Sequence, residues 1–388
     1  MTFSYPGPVS EAPLLSEVAL ACRWEPDRER TWSGTPWMLR AALGELVRVE
    51  DIDVSPPPAL RTAFRAASLR RAHGTWKSLW PHSRAAMAWN GRQLNRRSRR
   101  SDSQAVISVQ DLGRAALPVF IVQDLSYGLL LRTFGGTSIP HFRTLRPSRL
   151  RSLHDRQVSV WQDAAGLFPM SRWLADDMIR SGVAADKIVV VPPGVNVEIP
   201  SDTPVPERRR SGPLRLLFVG RDFDTKAGDQ VVAAFQLLRA RHGIGVELTV
   251  IGPVRWPLTE LPDGIDFRGP QSRDEVDAAM AVHDLFVMPS RFEGFGIAFA
   301  EALARGLPCI GRDAFAMPEI IDRASGGRLI QSEDPDELAE AIESALGDDQ
   351  LYAACRALAP ERRAYYTWSR AARQMVDVVR ARLAPARG

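Results

Sequence analysis

Long hydrophobic runs are missing from this chain of 388 residues: none approaches the ~20 apolar residues that cross a bilayer, so no membrane-spanning helix is expected. Cysteine is scarce. Cys22, Cys309 and Cys355 are far apart, odd in number and without metal-ligand spacing, which excludes a disulfide framework and a cysteine metal site and fits a reducing compartment. Histidine is also scarce, and no His/Asp/Glu cluster has the spacing of metal ligands. His283 precedes an apolar run and reads as a packed core histidine. Low-complexity tracts and repeats of solenoid or propeller period are absent. The start of the chain has no basic n-region and carries Glu11 and Glu17, so no secretory leader is expected. The expected location is cytoplasmic, free or peripheral on the inner face of the membrane. Two catalytic signatures are absent as well: the Gly-Lys-Ser/Thr order of a Walker A loop and the Gly-x-Ser-x-Gly nucleophile elbow.

What is present is a globular composition, 45% hydrophobic and 25% charged, with a formal net charge of +4. The length suits two domains of roughly 150 to 200 residues. Short apolar runs alternate with helical patterns. In the first half, Val18–Cys22, Leu46–Glu50, Ala105–Val109, Pro118–Gln123 and Ile188–Val191 read as buried strands, and Thr35 reads as the N-cap of a helix with Pro36 in its first turn. From Val197 to Gly212 a Pro-rich, polar connector with Arg208, Arg209 and Arg210 marks a domain boundary. In the second half, Leu214–Val219, Val246–Ile251, Leu285–Met288 and Pro308–Ile310 read as strands, and Asp334-Pro335-Asp336-Glu337 as a capping box opening a helix. This alternation predicts an α/β fold of two Rossmann-like, doubly wound domains facing across a cleft. The predicted domains are residues 1–198, with a C-terminal helix 368–388 packing back on them, and residues 199–367.

Ligands of such sheets sit beyond the carboxyl ends of the strands, so the loops after strands carry the candidate chemistry. Gly220–Gly228 puts Arg221 and Lys226 at the mouth of the second sheet. A departing diphosphate needs fixed positive charge of that kind; two solvated cations beside a turn would look the same. Pro289–Ala302 is the stronger signal. Gly294 and Gly296 let the backbone approach a ligand, and a helix starting near Ile297 would aim free amides at an anion. Glu293 lies in the loop and Glu301 in the helix, where a carboxylate can accept both hydroxyls of a vicinal diol such as ribose.

Arg221 with Lys226, then Glu293-Gly294-Phe295-Gly296 with Glu301, resembles glycosyltransferase family 4, the retaining enzymes of GT-B fold. The segments Ser171–Gly182, Ile188–Asn196, Gly269–Val276, Gly326–Ile342 and Tyr366–Ala372 follow in family order, so the resemblance covers most of the chain from about Pro118. It implies that Arg221 and Lys226 bind the donor diphosphate, Glu301 the ribose, and Glu293 the donor sugar. The amides of Gly294, Phe295 and Gly296 would line the phosphates and sugar, Gly269-Pro270 would face the base, and the Gly34-Thr35 loop would approach from the first domain. Two positions depart from the pattern. Gln123, before Asp124, stands where many members have His, and Gln cannot shuttle a proton; Gln123 and Asp124 would hold or orient sugar or acceptor. Ala314–Glu319 stands where relatives often have a Gly-Gly pair, and Phe315 and Met317 would shape the pocket there.

The function so implied is metal-independent, cofactor-free, retaining transfer of a hexosyl group from a nucleotide-diphosphate sugar to a hydroxyl acceptor: a glycan, lipid-linked glycan or small molecule. A nucleotide-sugar epimerase or a non-catalytic scaffold is the alternative. Finally, Arg61–Arg100 contains no Asp or Glu and interleaves its cations with Phe64, Trp76, Trp80 and Trp89. It is either a solvated face or a surface for anionic lipid or an acidic acceptor. No nucleic-acid module accompanies it.

Overall fold

The computed structural model describes residues 15–72, 75–134, 145–197, 199–200, 202–208, 211–322 and 324–384. Residues 1–14 of the stretch read for a leader, and Arg209 and Arg210 of the connector, lie outside them. The first sheet has five parallel strands in the order β2-β1-β5-β6-β7: β1 Glu17–Cys22, β2 Arg48–Asp53, β5 Ala105–Val109, β6 Val119–Gln123 and β7 Gly166–Pro169. Every residue of β5, β6 and β7 is buried, because helices cover both faces. Phe120, Phe168 and Trp161 fill this core. A small antiparallel hairpin, β3 Leu69–Ala72 with β4 Thr75–Ser78, stands apart.

The second sheet has six parallel strands in the order β10-β9-β8-β11-β12-β13: β8 Leu214–Val219, β9 Val246–Ile251, β10 Ile265–Gly269, β11 Leu285–Val287, β12 Cys309–Arg312 and β13 Gly327–Ile330. Phe218, Phe235, Phe286 and Phe299 fill its core. The chain is thus α/β with two doubly wound parallel sheets. Each sheet reverses its winding once, the first between β1 and β5, the second between β8 and β11. The loops leaving the two strands at such a point diverge and open a crevice.

Some expected elements are corrected. Ile188–Val191 is not a strand. It runs extended beside β7, with Val189 and Val191 N–H donating to Leu167 and Pro169 carbonyls at 2.9 Å, but only Ile188 forms a bridge, and Pro192-Pro193, lacking N–H groups, stops the pairing. Strand β2 begins at Arg48 rather than Leu46; as an edge strand it tolerates the charges of Arg48–Asp53. Gly34, not Thr35, caps the helix Thr35–Gly44, because the preceding turn runs through left-handed Trp32 and Ser33 and leaves by a φ of 91°, which suits glycine. Glu337 closes no capping box: its carboxylate accepts from the Gln331 and Ser332 amides, while Asp334 accepts from Asp336. The reciprocal box is at Ser272 and Glu275, opening Arg273–Val282.

The helix Trp368–Leu383 returns to the first sheet's side, where Gln374 donates to the Val190 carbonyl at 3.2 Å and Arg382 to the Ala165 carbonyl at 2.8 Å. Gly194 lies against its start; a Cβ there would fall 2.3 Å from Trp368 N. Gly194→Ala should therefore destabilise the chain by about 1–3 kcal/mol and lower the melting temperature by several degrees in calorimetry. An unchanged melting temperature would show that this junction yields freely.

Candidate functional site

The loops after β8 and β11 meet at the second sheet's reversal point. The Arg291 amide donates to the Thr225 carbonyl at 2.9 Å, stitching them together. Lys226 Nζ then lies 2.5 Å from Glu293 Oε2, with both side chains largely shielded from solvent. Gly220 makes room for this lysine: a Cβ there would fall 2.8 Å from Lys226 Cγ. Arg221, from the same loop, is exposed at the rim and has no hydrogen bond or ion pair among the described residues.

Two arginines that sequence reasoning passed over hold these loops in place. Arg291 donates to both carboxylate oxygens of Asp229, at 2.7 and 2.8 Å, to the Asp224 carbonyl at 2.7 Å and to Glu333 at 2.8 Å. Buried Arg312 donates to the carbonyls of Pro289, Ser290 and Ser332 and to Gln230 Oε1, at 2.7–3.2 Å. Its only trace in the sequence is a cation ending an apolar run.

The helix Ile297–Ala304 starts directly after these loops. Gly296 is its N-cap at a φ of 95°, and no side chain accepts from its first amides. Those amides and the dipole behind them suit an anion. Phe295, 5% exposed, anchors the turn against Tyr366. Glu301, further along the helix, accepts from the Asn196 amide at 3.2 Å. Burial pushes its carboxyl up to about 7; the Asn196 amide opposes that, Asp277 adds to it, and Arg273 opposes it weakly.

The first domain meets the second around this site at four places. Asp124, just beyond β6, packs on Gly294, where a Cβ would fall 2.4 Å from Asp124 Oδ2. Burial raises its carboxyl to about 6, against the hydrogen bond from Gln110; Glu293 raises it further and Lys226 lowers it. Gly34 packs on Arg273, which donates to the Glu29 carbonyl at 2.8 Å. Asn196 Nδ2 donates to the Ser33 carbonyl at 3.0 Å, tying that turn to Glu301. Thr35, beside Gly34, is buried. The Glu319 carboxylate accepts from the Arg172 and Trp173 amides at 2.8 and 2.6 Å, so the second domain caps a first-domain helix, Arg172–Arg180.

The remaining expected positions lie apart from this centre. Gln123 is 1% exposed, and its amide is engaged by Trp161, which donates to it at 2.9 Å, and by Asp111. Gly269 ends β10 and Pro270 follows it, on the other side of β8. There Trp256, which sequence reasoning missed, packs edge-on against Phe223 and Phe267. Phe315 lies between Trp173 and Phe292 at the domain junction. Met317 is a correction: fully buried, its sulfur faces the Arg312 amide, so it is core and not a pocket wall. Among the described residues, no group of three or more His, Cys, Asp or Glu could hold a metal ion, and no helix is long and apolar enough to cross a membrane.

Residues 202–362 match the family model described as Glycosyl transferases group 1. With two parallel, doubly wound sheets meeting at these loops, the chain has the GT-B architecture, and the matched residues make up most of its second half. A D-inositol 3-phosphate glycosyltransferase from Nocardiopsis dassonvillei is 29% identical over 229 residues, 53% of this chain and 52% of that one. A phosphatidyl-myo-inositol mannosyltransferase from Mycolicibacterium smegmatis is 31% identical over 197 residues, 49% of this chain and 51% of that one. The chain thus spans about half the length of the curated relatives it matches. The solved sucrose-phosphate synthase from Thermosynechococcus elongatus superposes with a TM-score of 0.68 at 16% identity, covering 94% of this chain and 98% of that one.

The Glu301 carboxyl gives a pH test. Its folded pKa, about 7, lies above the ordinary 4.5. Its contribution to stability is therefore complete below pH 4.5 and lost as pH rises through 7. The gap of about 2.5 pH units, at about 1.4 kcal/mol each, bounds the loss at about 3 kcal/mol. Melting temperature should fall from pH 5 to pH 8, and Glu301→Gln should flatten that fall, leaving the smaller slope from Asp124. An identical slope in the variant would place Glu301 in water.

Proposed function

We propose that the chain transfers a hexosyl group from a nucleotide-diphosphate sugar to a hydroxyl acceptor, with retention at the anomeric carbon and without a divalent metal. The observation that carries this reading is the pairing of Lys226 with Glu293 beside the uncapped start of the helix Ile297–Ala304. A diphosphate leaving group takes on charge as the glycosidic bond breaks. Lys226, the rim guanidinium of Arg221 and the amides of Gly294 to Ile297 are placed to absorb that charge, in a setting where fixed dipoles act strongly. The names of the two matched relatives given above, a glycosyltransferase and a mannosyltransferase, support the reaction class.

The other groups take complementary roles. Glu301 accepts the ribose hydroxyls, replacing its bond from the Asn196 amide. Gly269 and Pro270, with the ring of Trp256, form the wall toward the base. Glu293 binds the donor sugar once a phosphate shares its lysine. Asp124, held near neutrality in its titration, accepts from a sugar or acceptor hydroxyl above Gly294. The first domain supplies the acceptor surface, and Gly34 brings the Thr35 helix toward the phosphates.

Lys226→Ala should reduce the transfer rate by ~10² or more, the scale of one lost electrostatic donor, with chelator leaving wild-type turnover unchanged. Steady-state rates with a panel of nucleotide sugars measure both. Near wild-type turnover of the variant would remove the diphosphate assignment, and a requirement for added Mg²⁺ or Mn²⁺ would remove the metal-free one. Release of nucleotide with no acceptor consumed would favour an epimerase.

A further inference from the structure

A groove of about 650 Å³ runs along the outer side of the first domain, between the helices Arg84–Ser98 and Pro147–Asp163. Five guanidinium groups line it: Arg84 and Arg92 from the first helix, Arg149 and Arg156 from the second, and Arg114 from the loop after β5. Among the described residues no carboxylate lines it. Asp111 takes Arg156 at 2.9 Å, and Asp163 takes Arg114. Arg149 finds only a carbonyl, that of His82 at 2.6 Å, and the Met87 sulfur. Arg84 and Arg92 are exposed and have no hydrogen bond or ion pair among the described residues. Three positive charges are thus left without a counter-ion in one concave surface.

The floor is built to leave the groove open. The loop after β5 presses on the first helix at two glycines, where a Cβ on Gly113 would fall 2.8 Å from Gly91 Cα. Each helix repeats its arginine after two turns, 84 to 92 and 149 to 156, which is ~12 and ~10 Å at 1.5 Å per residue. Burial pulls Arg149 down from the guanidinium range, and the neighbouring charges of Arg84 and Arg156 pull it further. That repulsion is relieved by an anion placed between the helices. Two of the groove's arginines reach back to loops beside the first sheet: Arg156 donates to the carbonyl of Asp111, just beyond β5, at 3.1 Å, and Arg149 to that of His82, whose ring is bonded to Tyr127 at 2.6 Å. The groove therefore leads toward the carboxyl ends of β5 and β6.

We propose that this groove binds an elongated polyanion, a chain of two or more linked phosphate groups that bridges the arginines of each row, ~10 Å apart along the helix. A single phosphate would use one end of the two arginine rows. A flat bilayer surface would meet the exposed rim and not the groove. The binding stands by itself; its role, holding the anionic tail of an acceptor whose hydroxyl enters the site, rests on the transfer reading above. The arginines that matter are then Arg84 and Arg92 with Arg114, Arg149 and Arg156, and not Arg96, Arg97, Arg99 and Arg100 at the far end of the first helix.

Calorimetric titration of the full chain with tripolyphosphate at low ionic strength tests this. Running it on wild type and on Lys226→Ala separates groove binding, which survives that substitution, from binding at the diphosphate site, which does not. The double variant Arg84→Gln/Arg92→Gln should weaken the surviving binding by about 10-fold or more, the loss of two charge-assisted contacts. The control Arg96→Gln/Arg97→Gln should leave it within about twofold, both variants keeping the wild-type melting temperature. No binding that survives Lys226→Ala, or equal weakening by both double variants, would overturn the proposal. So would binding of phosphatidylglycerol vesicles through Arg84 and Arg92 with no binding of tripolyphosphate.

Discussion

One ion pair organises the site: Lys226 against Glu293, 2.5 Å apart where the loops after β8 and β11 meet. A lysine this shielded needs a counter-charge, because an unpaired ammonium away from water is costly. Glu293 supplies it from the neighbouring loop, so the two loops cannot move independently. The backbone bond from Arg291 to Thr225 and the clamp of Arg291 on Asp229 hold the same junction from the other side. An anion arriving at Lys226 would share the lysine and free Glu293 for other hydrogen bonds. On the proposed function, this is an exchange between an internal carboxylate and an incoming phosphate.

The pair also reaches across the domains. Asp124 rests on Gly294 near Glu293, and its raised carboxyl registers both that charge and its burial. Glu301 is held by Asn196, which in turn holds the turn before Gly34. Glu319 caps the first-domain helix Arg172–Arg180. The domains thus meet at the site through these polar contacts, beside the aromatic contacts of Phe315 with Trp173 and Phe292.

Much of this was legible in the sequence, for identifiable reasons. Buried parallel strands are short apolar runs, so β1, β5, β6, β8 and β9 stood out. The loops with Arg221, Lys226, Glu293 and Glu301 stood out because each follows such a run and precedes a helix. What failed had physical causes. β7 is Gly166–Pro169 and β10 is Ile265–Gly269; one is short and ends in proline, the other alternates charged residues as an edge strand does. Ile188–Val191 has the composition of a strand but ends against two prolines. Arg291 and Arg312 were invisible because their partners, Asp229 and Gln230, are remote in sequence and become neighbours only through the strand order. The arginine groove was half visible: the basic run showed Arg84 and Arg92, but nothing local announces that Arg149 and Arg156 face them.

On the proposed function, fixed cations and helix amides at this reversal point receive the donor's diphosphate. A crystal structure of the chain with a bound nucleoside diphosphate measures it directly. The account predicts phosphate oxygens within hydrogen-bond distance of Lys226 Nζ and of the amides at residues 294–297, with the ribose hydroxyls on Glu301. Phosphates seated elsewhere, with the Lys226–Glu293 pair undisturbed, would contradict it.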